Sequence, residues 1–133
     1  MEDLVFDQVL CVGIDEIDED HRRLVDLFNL LNHSVAAGDS PDYLAALLEE
    51  LINCTAWHFS HEERLMMKYG YKGYAEHRLE HQDLIKSVRQ LQTDILGKGT
   101  LDASADLEFL EHWLTGHILS NDMRLGAYLA EVM

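Results

Sequence analysis

Apolar residues at Ile17, Leu24, Phe28, Leu31 and Val35 recur in alternating steps of three and four once His21 is counted with them. That spacing keeps them on one face of a helix, predicted over 18–37 and ended by Gly38. Ser40-Pro41 then reads as an N-cap followed by proline at the first helical position. It opens a second helix over 41–66, whose face runs through Leu44, Leu47, Leu51, Cys54, His58, Glu62 and Leu65 until Gly70 closes it. A third series, Tyr74, His77, His81, Leu84, Val88, Leu91 and Ile95, predicts a helix over 72–96, broken by Gly97-Lys98-Gly99. The fourth, over 103–130, passes through Leu107, Leu110, Leu114, His117 and Asn121. Four amphipathic helices joined by short connections make sequential helices antiparallel neighbours. The expected fold is therefore all-α: an up-down-up-down antiparallel four-helix bundle in one domain, 1–133. Residues 1–16 are expected to form an extended arm laid against it.

Composition agrees with this pattern and narrows the partners. A hydrophobic fraction of 47% with one proline and eight glycines in 133 residues favours long helices over a sheet sandwich. The length is sufficient to fold without disulfide staples. A formal net charge of −15, with only ten scattered Lys and Arg, repels phosphate and argues against nucleic acid and anionic membrane surfaces as partners. Met1-Glu-Asp-Leu-Val-Phe-Asp7 lacks the basic start and apolar run of a secretory signal, and no stretch reaches membrane-spanning length. A cytoplasmic location is expected. Cys11 and Cys54 form no Cys-x-x-Cys pair and are expected to be free thiols.

The chemistry lies where the leucine seam is interrupted. His21, His58 with Glu62, His77 with His81, and His117 occupy positions that should face the core. Each buried polar group left unpaired costs roughly 1 to 3 kcal/mol, so a set of them needs a shared partner. These positions are also mirror-related about the turns. His21 and His58 are symmetric about Asp39–Ser40; His58 and His81, and Glu62 and His77, about Tyr69–Gly70; His81 and His117, and His77 and Asp122, about Lys98–Thr100. In antiparallel helices such residues lie at one level. Seven candidate ligands thus converge at one height: His21, His58, Glu62, His77, His81, His117 and Asp122.

Five imidazoles and two carboxylates suit iron, zinc or copper better than calcium or magnesium, which prefer all-oxygen shells. Seven ligands also exceed what one ion uses. If two octahedral ions share Glu62 and Asp122 as bridges, the carboxylates supply four bonds, the histidines five and a bridging oxide or hydroxide two. One position then stays open for a small diatomic.

The order His21, His58-Phe-Ser-His-Glu62, His77-Arg-Leu-Glu-His81 and His117-Ile-Leu-Ser-Asn-Asp122, with Gly13-Ile-Asp-Glu-Ile-Asp-Glu-Asp-His21 before it, resembles the ligand pattern of the hemerythrins over nearly the whole chain. The short form is similar to the bacterial members. The resemblance implies two iron ions, Fe2+/Fe3+, joined by an oxide or hydroxide. It further implies that His77, His81 and His117 saturate one iron, while His21 and His58 hold the other, where dioxygen binds reversibly. The implied role is an oxygen carrier or store, not an enzyme, with an oxygen-consuming enzyme as possible recipient. Asp20 stands where the family often has Gln or Glu, a change expected to touch only the surroundings of the ligands.

Asp122 follows His117 by five residues, a rotation of about 140° on an ideal helix, so a locally widened turn is expected there. Phe59, Trp113, Leu114 and Ile118 are spaced to wall an oxygen pocket, although plain core packing explains them equally well; Leu114 is the preferred residue for controlling access. His33, His61 and His112 fall outside the layer and read as surface or supporting histidines. An oxygen or redox sensor remains an alternative, as does a zinc-holding bundle without redox chemistry. A di-iron oxidase or iron-storage bundle is a further one, but such sites use Glu-x-x-His pairs, absent here.

Overall fold

The computed structural model describes residues 3–5, 10–98 and 105–133. Within them the chain is helical with no strand: α1 (Asp15–Ala36), α2 (Pro41–Lys68), α3 (Tyr74–Lys98), α4 (Ala105–His117), a π-helical turn (Ile118–Asp122) and α5 (Met123–Val132). The last three run on as one rod, the fourth helix of the bundle. Contacts link α1 to α2, α2 to α3, α3 to α4 and α4 back to α1, which closes the up-down-up-down ring. Among the described residues no helix is long and apolar enough to cross a membrane. Residues 1, 2 and 6–9 of the expected arm, and 103–104 of the expected fourth helix, lie outside the described residues.

The first two helices end as their glycines require. Gly38 and Gly70 sit at φ +73° and +65°, a backbone region disfavoured for residues with a Cβ. In each case the next N–H reaches back: Asp39 N donates to Ser34 O at 3.2 Å and Tyr71 N to Met66 O at 2.9 Å. At the start of α2, Ser40 Oγ accepts from Tyr43 N at 3.3 Å ahead of Pro41. Here the turn residues and the apolar spacing agree.

Helix α1 begins at Asp15, three residues before the expected start, with Ile14 as a cap that offers no side-chain hydrogen bond. The carboxylate that serves this end comes from inside the helix. Asp18 Oδ1 accepts Val12 N at 2.7 Å and its Oδ2 accepts Gly13 N at 3.3 Å. The arm therefore reaches only to Ile14. It is anchored further out by Asn29, which accepts Leu4 N and donates to Leu4 O, both at 2.8 Å. Leu10, Val12 and Ile14 are buried in the core, and Gly126 of α5 leaves room for the Val12 backbone.

The core takes in most of the expected faces and adds Leu48 and Ile52 of α2, which the expected face left out, while Val35, Cys54, Leu65, Tyr74 and Leu84 are only partly buried. Ile17, Leu24, Phe28, Leu31, Leu48, Leu51, Ile52, Leu107 and Leu110 are all at most 2% exposed. Burying a side chain of this size contributes about 1.5 to 3 kcal/mol. That packing holds the four helices rigidly enough to present polar side chains to one another across the interior. Cys11 and Cys54 are half-buried, and neither forms a disulfide among the described residues.

Candidate metal centre

Each of the seven expected ligands is at most 5% exposed, and all meet in one layer. Their atoms form two groups: Glu62, His77, His81, His117 and Asp122 in one, His21, His58, Glu62 and Asp122 in the other. The shared members are the two carboxylates. Glu62 turns Oε1 toward His77 at 3.3 Å and His81 at 3.0 Å, and Oε2 toward His58 at 3.1 Å and His21 at 3.6 Å. Asp122 divides its oxygens likewise: Oδ1 lies 3.0 Å from His77 and 2.9 Å from His117, and Oδ2 lies 2.8 Å from His21. All these histidines present Nε2. One oxygen of each carboxylate thus serves each group.

Asp122 reaches the layer because the helix widens before it. On an α-helix its five-residue separation from His117 would turn it away, but the stretch Ile118–Asp122 is π-helical, with hydrogen bonds from i to i+5. The extra residue in that turn brings both side chains to the interior.

Despite their closeness, many of these atoms do not satisfy one another. His21 Nδ1 and Nε2, His58 Nε2, His77 Nε2, Glu62 Oε2 and both Asp122 oxygens are buried with no hydrogen-bond partner among the described residues. Apart from His21 Nδ1, these atoms are the ones that crowd together in the two groups. At roughly 1 to 3 kcal/mol for each unsatisfied atom, such a set would rival a domain's whole stability of about 5 to 15 kcal/mol. A cation within each group would remove most of that penalty, so the donor set fits metal ions.

The electrostatics make the same demand for positive charge. Burial alone would drive protons off the histidines, yet Glu62 and Asp20 push His58 up to about 10, and Asp122 with Glu62 and Glu80 pushes His117 up to about 12. His21 and His77 are also raised against burial, by Asp122 and Glu62. Burial opposes charge on Glu62, but His58, His117 and His21 hold it well below the usual carboxylate range. Asp122 is lowered too, against burial and the Glu62 charge, by His117 and His21. Without metal, protons supply the positive charge this layer requires.

Behind the candidate ligands stands a second set of carboxylates that meet three of their rings. His58 Nδ1 meets Asp20 Oδ2 at 2.8 Å, His81 Nδ1 meets Glu63 Oε2 at 3.0 Å, and His117 Nδ1 meets Glu80 Oε1 at 3.0 Å. Donation from Nδ1 fixes the tautomer that leaves Nε2 free to ligate, and raises ligand basicity. Glu63 and Glu80 were not singled out by the sequence, which holds 25 Asp and Glu. The available signal is adjacency, since Asp20, Glu63 and Glu80 are each the immediate neighbour of a ligand. His61 also meets Asp20, at 2.7 Å, while His33 meets Asp3 on the surface at 2.6 Å and His112 is exposed.

A cavity of about 10 Å³ lies against His21, His58, His117 and Asp122. Its other walls are Leu24, Thr55, Phe59, Trp113, Leu114 and Ile118, so the four expected pocket residues all line it. Phe59 stacks on His81 at 3.8 Å between ring centres, and Trp113 donates Nε1 to Leu84 O at 2.8 Å. Space of this size holds about one water-sized molecule.

Comparison with known proteins places these residues in context. The family model described as the hemerythrin HHE cation binding domain matches residues 12–129. The bacteriohemerythrin of Pseudomonas paraeruginosa is 33% identical over 92% of this chain and 78% of its own. The hemerythrin-like protein of Naegleria gruberi is 29% identical over 93% of this chain and 92% of its own. A crystal structure of a wild-type hemerythrin superposes with a TM-score of 0.80 at 28% identity, covering 90% of this chain and 91% of that one.

Proposed function

This chain belongs to the hemerythrin family, and we propose that its bundle binds dioxygen reversibly at two bridged non-haem irons, as a carrier or store rather than an enzyme. His77, His81 and His117 hold one ion, His21 and His58 the other, and Glu62 and Asp122 bridge both. The observation that carries this reading is the division of each carboxylate's two oxygens between the two histidine groups.

One group has three imidazoles and the other two. With equal shares of the bridges, the open position falls on the His21 and His58 side; the small cavity lies against both of those histidines and also against His117. When bound, an iron pair supplies electrons to dioxygen and recovers them on release. The protein's part is selection and restraint. Leu24, Phe59, Trp113, Leu114 and Ile118 exclude bulk water, which keeps the bound gas from proton-driven loss. Asp20, Glu63 and Glu80 fix three ring orientations, so the shell does not reorganise as the gas enters or leaves.

A shell dominated by imidazole, in an apolar pocket without room for a substrate, supports return of the oxygen intact. We place this store in the cytoplasm, where an oxygen-consuming enzyme is the recipient. Repeated oxygenation and deoxygenation of the iron-loaded protein tests the reading. The expected result is a visible band that appears and disappears over many cycles with one oxygen taken up per chain. Stoichiometric peroxide release, or oxidation of an added substrate, would show an oxidase instead.

A further inference from the structure

A third set of ligating atoms converges beside the inner layer, on its solvent side. Asp20 Oδ2, on α1, lies 2.8 Å from His58 Nδ1 and 2.7 Å from His61 Nδ1, both on α2. The ligating atoms of all three residues lie within 4.8 Å of one another. We propose that Asp20, His58 and His61 form a separate site for a third, exchangeable transition-metal ion, with the His58 ring shared between that ion and the inner pair.

The donor set decides the class of ion. Two imidazole nitrogens and one carboxylate oxygen suit zinc, copper, nickel or iron, and are poor ligands for calcium or magnesium. Three protein ligands also leave a fourth position for water. That water is at hand, because Asp20 and His58 line a cavity of about 500 Å³ between α1 and α2 whose rim carries Glu19 and Glu50. The side chains of Asp20 and His61 are 14% and 15% exposed, against 0% for Glu62 inside. An ion can therefore come and go here without opening the bundle.

The geometry needs only a small adjustment. A tetrahedral ion with bonds of about 2.0 to 2.1 Å places its ligand atoms about 3.3 Å apart, so each nitrogen–oxygen gap opens by roughly half an ångström as the intervening hydrogens leave. His61 shifts its proton to Nε2, which lies 3.5 Å from Glu16 Oε2. His58 releases its Nδ1 proton to solvent and bridges as an imidazolate. The coupling to oxygen rests on the reading that His58 holds an iron; occupancy of the outer site does not.

Titrating the iron-loaded protein with zinc, while counting iron and zinc separately after dialysis, tests the proposal. One zinc per chain beyond two retained irons is expected, together with a shift of the visible band. His61→Ala and His61→Gln should each weaken that zinc by roughly tenfold or more with iron content unchanged. Cys54→Ala, which alters the same cavity without touching the three ligands, should keep it. Two irons and no further zinc, zinc that displaces iron, or zinc insensitive to both His61 variants would overturn the site. Fewer than two irons before zinc is added would instead count against the di-iron reading, and zinc binding that still depends on His61 in that sample would uphold the outer site.

Discussion

Gly126→Ala should destabilise this protein even though alanine is the better helix former. A Cβ at position 126 would lie 2.3 Å from Val12 O, 2.8 Å from Val12 Cβ and 3.1 Å from Val12 C. The nearest of these is a backbone atom of the buried arm, which cannot rotate away. Restoring ordinary contact requires α5 and the arm to part by about 1 Å. Overpacking of this kind costs about 1 to 3 kcal/mol, and a rigid backbone obstacle belongs at the upper end. Against that, alanine recovers about 1 kcal/mol of helix propensity. The net loss is then about 2 kcal/mol, a fall in Tm of roughly 6 to 10 °C for a domain of this size.

Thermal unfolding followed by circular dichroism reads this directly. The control is the same substitution in a chain lacking residues 1–13, where the obstacle is gone and propensity alone remains. There the sign should reverse, with a gain of about 1 kcal/mol. Because Gly126 lies four residues beyond Asp122, the full-length variant should also bind iron more weakly while the truncated pair does not differ. A Gly126→Ala chain that gains stability with its arm intact would refute the packing of Val12 against α5.

The metal-free protein should lose stability as pH rises from about 6.5 toward 10. Histidines raised in the folded state stabilise it fully below their unfolded value of 6.5, and lose that contribution as pH passes the folded value, about 10 for His58. The iron-loaded chain, whose ligating nitrogens carry no protons, should not show this fall; a metal-free Tm that climbs from pH 6 to 9 would contradict the assignment. Glu80→Gln should lower metal affinity by about 10- to 100-fold by releasing the His117 ring, measured by competition with a chelator, and an unchanged affinity would mean that Glu80 does not position the ligand. Leu114→Ala should enlarge the small cavity and speed oxygen exchange, read by stopped-flow, and unchanged on and off rates would remove Leu114 from the access route.

Much of this architecture is legible in the order of residues because two independent periodicities coincide. Steps of three and four set the helix faces, and the mirror placement of His21, His58, His81 and His117 about the turns sets one level across antiparallel neighbours. Gly38, Gly70 and Ser40-Pro41 mark the ends by local backbone chemistry, so they can be read without tertiary knowledge. Even the π-helical turn announces itself, since a five-residue gap from His117 to Asp122 cannot face one interior on a regular helix.

What escaped the sequence depends on long-range contact. The start of α1 is set by Asp18 reaching back to the arm and not by a capping residue at Ile14. The roles of Glu63 and Glu80 arise across helices, where each carboxylate meets a histidine 18 or 37 residues away. Their one local mark is adjacency to Glu62 and His81, which Glu76 beside His77 shares. The convergence of His61 and His58 on Asp20 is of the same kind, a meeting of α1 and α2 that single-helix periodicity does not report.

Diffraction from crystals of the iron-reconstituted protein, recorded at the iron absorption edge, bears most directly on the proposed di-iron centre. Two anomalous peaks roughly 3.5 Å apart are expected, one beside His77, His81 and His117, the other beside His21 and His58, with Glu62 and Asp122 spanning both. A single peak, or two peaks that neither carboxylate bridges, would contradict it.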